Sequence, residues 1–421
     1  MTTTLRPAAP HDIAELRQLY FEVYGHGYPV ALGSDPTEMH RLITDPHSHW
    51  LVARRADTGE LVGSVVVQTD PGNRLGKLVG LAVHPEHRGG GLAGRLTGAV
   101  TADAFATGAL DSIHTTVRLV TQAPQRVVAR NGYRPLGLLP NAADVSGCET
   151  LALFACYAEG VLERREQVTA VPRELLPLLG AAEESIGIPY TGTLALPAPV
   201  PDTDRPLPQM GGIGSTGGTG GTALAEAPPG TLLTAPAVTH AEPRTRPRTR
   251  TPMEVITAPG FVRRRFRELF PDPAGAYSPL RTPNTVLASP DGEFEIYADL
   301  DRAAGSCALV AVHPHPWAAT GALDSLMTVL GRAGADYVET LVPLSDTAGL
   351  YAFLASGFVP SAGYPAMRRV GDRFHDYVLL SRTDRQIDFR STAVGPLVRP
   401  YQSAYLTAWA SIYLPPHEVV R

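Results

Sequence analysis

Lysine is almost missing from this 421-residue chain: Lys77 is the only one, and the other 35 of its 36 cationic side chains are arginine. Alanine, glycine and proline are abundant, so the skew reads as compositional bias and a single arginine carries little functional weight. Cysteine is scarce as well. Cys148, Cys156 and Cys307 are an odd count without a C-x-x-C pair, which argues against a disulfide framework or a zinc site and for a reducing compartment. No apolar run reaches membrane-spanning length, and the opening MTTTLRPAAPHD lacks the charged-then-apolar order of a signal peptide. With a net charge of −5 there is no global basic field for nucleic acid. The expectation is a soluble cytoplasmic protein with no metal, no membrane span and no nucleic-acid partner.

The chain is too long for one ordinary domain, and its 44% apolar content is enough for real cores. Short apolar runs alternate with helical patterns over residues 1–190. Strands are predicted at Thr4–Arg6, Trp50–Arg55, Leu61–Gln68, Lys77–Val83, Ser112–Val120 and Leu151–Tyr157. Helices are predicted at Pro10–Tyr24, after Asp35-Pro36, from the glycine stretch near Leu92, at Gln122–Arg130, and at Pro172–Glu184 as an appendage. Residues 191–252, dominated by Pro, Gly, Thr and Ala with RTRPRTR near the end, read as a flexible linker. Order resumes over residues 253–421. Strands are expected at Phe294–Leu300, Cys307–Val312, Tyr337–Leu344 and Asp376–Arg382, with helices at Ala318–Arg332 and Tyr351–Ser356.

An internal repeat emerges between the two ordered segments. AVHP closes an apolar strand at Ala82–Pro85 and again at Ala311–Pro314, while NGYRP (Asn131–Pro135) matches SGFVP (Ser356–Pro360). The offsets are 229 and 225 residues, nearly the same register. Duplication is the better reading of two ordered matches.

The densest chemistry lies in HPEHRGGGLAG, His84–Gly94. Its G-x-G-x-x-G spacing fits a dinucleotide loop poorly: His84–Arg88 separate the strand from Gly89, and Asp111 precedes the next strand instead of ending it. The whole run Val83, Pro85, Arg88, Gly89, Gly90, Gly91, Leu92, Ala93 fits another pyrophosphate. A proline stops the strand, small residues turn backbone amides outward, and a helix N-terminus adds its dipole.

This run resembles the acyl-CoA motif of the GNAT N-acetyltransferase superfamily, and the element order from Thr4 to Tyr157 is similar to that family's. The resemblance implies an α/β fold with a mixed sheet: two GNAT-like domains, the first catalytic (1–190), the second degenerate (253–421), joined by the linker. Aligned on AVHP, Arg88 falls on Trp317, Gly89 on Ala318, Gly90 on Ala319 and Gly91 on Thr320, replacements that would obstruct a pyrophosphate. The resemblance also implies that pantetheine lies along Leu81, Ala82 and Val83 and pyrophosphate on Arg88–Gly94. A backbone amide of the same strand would polarise the thioester.

Relatives often carry a Glu base on that strand, where Val79 and Gly80 stand here. The candidate bases are therefore His84, His114 and Glu149. Relatives also use a Tyr acid four residues before the G-[FY] dipeptide, a position held by Val128 and, in the second segment, Phe353. Tyr24, His26 and Tyr28 are expected in a loop over the acceptor. The implied activity is acyl transfer from acetyl-CoA or a longer acyl-CoA to a primary amine of a small molecule or peptide. One alternative donor is acyl-phosphopantetheine on an acidic carrier protein, in natural-product biosynthesis, which would give the linker arginines a use. The other alternative is a non-catalytic CoA-responsive scaffold.

Overall fold

Runs of β-branched and leucine residues bounded by turns place the strands, and amphipathic stretches with caps place the helices. The computed structural model describes residues 2–25, 31–144, 147–190, 192–196, 253–272, 276–314 and 323–414. Its first half runs β1 (Thr3–Pro7), α1 (Ile13–Tyr24), α2 (Pro36–Thr44), β2 (Ser48–Arg55), β3 (Leu61–Asp70), β4 (Leu75–Val83), α3 (Leu92–Ala106), β5 (Ser112–Arg118), α4 (Ala123–Arg130), β6 (Arg134–Asp144) and β7 (Cys148–Tyr157). A short parallel pair, β8 (Ala170–Pro172) and β9 (Leu194–Leu196), flanks α5 (Leu176–Ile186). Asp35 caps α2 as its sequence signal predicts, accepting a hydrogen bond from the Thr37 amide at 2.8 Å.

The second half runs β10 (Glu254–Ile256), α6 (Pro259–Leu269), β11 (Thr285–Ala288), β12 (Glu295–Asp301), β13 (Ser306–His313), α7 (Leu323–Arg332), β14 (Tyr337–Pro343), α8 (Thr347–Ala355), β15 (Val359–Val370), β16 (Arg373–Thr383) and α9 (Arg399–Tyr413). One mixed sheet collects fourteen strands in the order β1-β2-β3-β4-β5-β7-β6-β15-β16-β14-β13-β12-β11-β10. Read outward from the centre, the second seven repeat the topology of the first. Within this sheet, among the described residues, only β4–β5 and β13–β14 pair in parallel, at corresponding places. The two AVHP runs end β4 and β13.

The halves meet where β6 pairs with β15, with Gly137 opposite Ala362. Sequence reading missed both strands, because Pro135, Pro140, Pro360 and Pro365 interrupt their patterns and bulges shift their registers. Strands β10 and β11 and helices α6 and α9 were missed too. Nor is α5 an appendage: it packs on α9, β6 and β15. Specific bonds lock the junction. The Tyr401 hydroxyl donates to the Pro135 carbonyl at 2.7 Å, and Gln125 donates to the Ala393 carbonyl at 2.7 Å. Buried Asp376 accepts from Arg165 at 2.6 Å and from the Tyr190 hydroxyl at 2.9 Å. A single apolar cluster then runs through both halves, from Leu96 and Phe154 to Leu326, Phe358 and Tyr401.

Gly137 has no room for a side chain, since a Cβ there would stand 2.2 Å from the Ser361 carbonyl oxygen and 2.3 Å from the Ala362 Cα. Those are backbone atoms, which yield only if the strands part. Gly137→Ala is expected to destabilise the fold by about 1–3 kcal/mol, read as a lower melting temperature in calorimetry.

Candidate active site

The parallel pairing of β4 with β5 covers only Leu75–Lys77 against Ser112–His114. One further tie, the Thr115 hydroxyl donating to the Leu78 carbonyl at 2.9 Å, closes the inner end. Beyond it the strands diverge, leaving one edge of β4 open toward Val83.

That edge is shaped by a bulge. Between the pairs Ser64↔Ala82 and Val66↔Val79, β4 carries one more residue than β3. Gly80 sits there with φ +64°, and a Cβ would lie 2.7 Å from the Tyr20 hydroxyl and 2.8 Å from Leu32 Cδ1. Two tyrosines of α1 pin the distortion: Tyr20 donates to the Gly80 carbonyl at 2.7 Å and Tyr24 to the Leu81 carbonyl at 2.6 Å. Ser64 and Trp50 support Tyr20 from behind, at 3.1 and 2.8 Å along the chain of contacts. Because a trans peptide opposes its C=O and N–H, fixing the Gly80 carbonyl on α1 turns the Leu81 N–H away from that helix.

At the outer end, Arg88 folds back to donate to the Val83 carbonyl at 3.2 Å. Gly89, Gly90 and Gly91 follow, exposed, with nothing within 4 Å of where a Cβ would be. Gly91, at φ +74°, is the N-cap of α3 and supplies no side-chain cap. The first-turn amides of Leu92, Ala93 and Gly94 therefore face outward uncapped, with the positive end of the helix dipole behind them. A phosphate fits this cradle chemically and sterically. Asp111, the acid weighed for a dinucleotide site, instead precedes β5 and pairs with Arg74 at 2.8 Å.

The three candidate bases are not brought together. His84 lies in the turn after β4, where Nδ1 accepts from the Glu86 amide at 3.3 Å and Nε2 meets Glu22 at 3.1 Å. Glu149 is held bidentately by Arg118 at the open end. His114 pairs with Ala155 of β7, which puts it about 20 Å along that strand from Glu149. Its ring sits edge-on to Tyr364 at 6.1 Å, and its buried Nδ1 has no hydrogen-bond partner among the described residues. Burial first, then the charges of Lys77 and Arg281, push its pKa down to about 3. His114 is thus a neutral imidazole and a weak base.

Val128 and Phe353 are buried core residues, and Tyr133 bonds Thr101 at 2.8 Å in the core. Tyr24 lies on the last turn of α1, not in a loop; His26 and Tyr28 lie outside the described residues, as do Trp317, Ala318, Ala319 and Thr320. Sequence reading missed Tyr20, Trp50, Ser64 and Arg118, which carry no local motif, and Lys77. Lys77 and His114, at the inner end, face Arg281, Asp299 and Glu339 of the second half. Among the described residues no cluster of His, Cys, Asp or Glu could hold a metal, and no helix is long and apolar enough to cross a membrane.

Residues 12–133 match the model of the acetyltransferase (GNAT) family. That match assigns a GNAT-family domain to residues 12–133, under a third of the chain. Among solved structures, it is similar to a GNAT-family acetyltransferase from Streptococcus pneumoniae, 20% identical over 37% of this chain and 99% of that one, TM-score 0.34. A ribosomal-protein-alanine N-acetyltransferase from Brucella melitensis is 17% identical over 37% and 99%, TM-score 0.33. The putative acetyltransferase yncA from Salmonella typhimurium, solved with acetyl-CoA, is 17% identical over 37% and 94%, TM-score 0.33. No curated protein matches.

Two outcomes test this geometry. Gly80→Ala, strained in φ and crowded by Tyr20, should lower stability by about 1–3 kcal/mol, seen as a fall in denaturation midpoint. His114 stays neutral in the fold down to about pH 3, while in the unfolded chain it takes a proton below about 6.5. Its depressed basicity therefore costs stability progressively as pH falls below that value. Imidazole NMR should show no His114 titration between pH 5 and 8, and His114→Phe should flatten the acid side of the stability profile.

Proposed function

We propose that the first half is an N-acyltransferase that moves an acyl group from acyl-CoA, acetyl-CoA in the simplest case, to a primary amine of a small molecule or peptide. The observation that carries the reading is the continuous run from an uncapped glycine cradle at α3, along the unpaired edge of β4, to a tyrosine-pinned bulge. Arg88 and the amides of Gly89–Gly94 hold the pyrophosphate. Leu81, Ala82 and Val83 line the pantetheine, and the Leu81 N–H polarises the thioester carbonyl as negative charge develops on oxygen. Much of the acceleration comes from aligning two bound substrates. The acceptor amine enters over the face of β4 and β5 that carries Lys77 and His114, a face the second half covers with Arg281, Glu339 and Tyr364. With His84 in its turn, Glu149 paired and His114 weakly basic, the acceptor's proton leaves to water.

The reading extends to the second half as a second copy of the fold that holds no donor, supported by its repeated strand order and by the Trp317-Ala318-Ala319-Thr320 replacement of the cradle sequence. The same β4 edge would accept acyl-phosphopantetheine from a carrier protein; the linker arginines that favour this donor lie outside the described residues.

Turnover with acetyl-CoA, longer acyl-CoAs and acyl carrier protein thioesters, over a panel of primary amines, is the test. Product formation should fall at least 100-fold, as loss of oriented electrostatic contacts typically costs, in Arg88→Ala/Gly91→Asp. Unchanged product formation by that variant overturns the assigned site. Tight CoA binding without turnover on any donor replaces the enzyme with a CoA-responsive binding protein.

A further inference from the structure

Lys77 is the only lysine in the chain, and it stands where β4 last pairs with β5, opposite His114. It therefore closes the inner end of the opening whose outer end is the Arg88–Gly94 cradle. Along β4 it stands four residues inward of Leu81. Lys77 is half-buried.

Its charge is poorly compensated. The nearby carboxylates are Asp299 of β12 and Glu339 of β14, and Arg281 of the segment before β11 takes both, Asp299 at 3.4 Å and Glu339 by a short charged bond. Tyr337 donates a further hydrogen bond to Glu339 at 3.0 Å. Lys77 itself has no carboxylate within 4.0 Å among the described residues. From β5 it meets only a neutral imidazole, His114. A buried ammonium without a partner is costly, and the neutral amine is correspondingly favoured.

We propose that Lys77 is itself an acyl acceptor: the thioester held along β4 transfers its acyl group to Lys77 Nζ, in a single turnover per chain. The inference rests on the donor site described above. The neutral Nζ lone pair adds to the thioester carbonyl carbon, and the tetrahedral adduct collapses with cleavage of the C–S bond. The proton lost by nitrogen ends on the departing sulfur or in water, giving an amide and free CoA thiol. The product replaces a desolvated cation with a neutral amide, which removes the burial cost, and it fills the inner end of the opening.

Desolvation, then repulsion from Arg281, lowers the Lys77 pKa to about 8 despite attraction from Glu339 and Asp299. The reactive amine fraction thus grows about ten-fold between pH 7 and 9.

The experiment incubates full-length protein with acetyl-CoA and follows intact mass and peptide maps. One acetyl group should appear, on Lys77, about ten-fold faster at pH 9 than at pH 7. It should be absent in Lys77→Arg and Lys77→Met, whichever of the two keeps a native melting transition, and greatly slowed in Gly91→Asp. Because the lysine is unique, acetylation also removes the only site for a lysine-specific protease. The proposal is overturned if Lys77 stays unmodified in protein that calorimetry shows to bind acetyl-CoA. Equal rates in Gly91→Asp or in heat-unfolded chain overturn it as well, since the reaction is then ordinary solution chemistry. If acetyl-CoA fails to bind at all, the donor-site reading falls and this inference falls with it.

Discussion

Parallel pairing that stops after three residues governs this molecule. Had β4 and β5 stayed paired beyond Lys77 and His114, the polar edge of β4 would be spent on a neighbouring strand. Because they separate, the outer part of the β4 edge is left without a strand partner, as the proposed donor site requires. The bulge at Gly80 and the hydroxyls of Tyr20 and Tyr24 hold that edge in a shape no regular strand has. At its outer end the uncapped start of α3 concentrates amide N–H groups and dipole on one small, side-chain-free concavity.

The second half repeats the arrangement with different chemistry. There β13 and β14 pair in parallel over four residues, and the Thr340 hydroxyl reaches the Leu309 carbonyl at 3.5 Å as Thr115 reaches Leu78. Where the first half has Lys77 beside His114, the second has Ala308 beside Glu339. Arg281 links the two inner ends, pairing with Glu339 and repelling positive charge on Lys77 and His114. Joining the halves at Gly137 and Ala362 brings residues of the second half onto the face of β4 and β5 that carries Lys77 and His114. Polar groups from residues 200 positions apart thereby become neighbours in a low-dielectric setting.

What the sequence alone made legible was local chemistry. The Asp35-Pro36 cap, the hairpin of β2 and β3 and the cradle from Arg88 to Ala93 all announce themselves within a few residues, so their positions were readable. Strands β6 and β15 were not, since each is threaded with prolines and shifted in register, and only partner strands make sense of them. The junction between halves was invisible for the same reason. Lys77 was legible only as the chain's one lysine and the first residue of a strand; its neighbours Arg281, Asp299 and Glu339 lie in no single window of sequence. His114 was placed on its strand correctly by pattern, but its low basicity comes from burial and from cations that pattern cannot see.

The central claim is that one chain holds one acyl-CoA, in the first half. Titration calorimetry of the full-length protein with CoA measures this directly. The account predicts a stoichiometry of one CoA per chain. Two per chain, with the second half filled, or no binding at all, would contradict it.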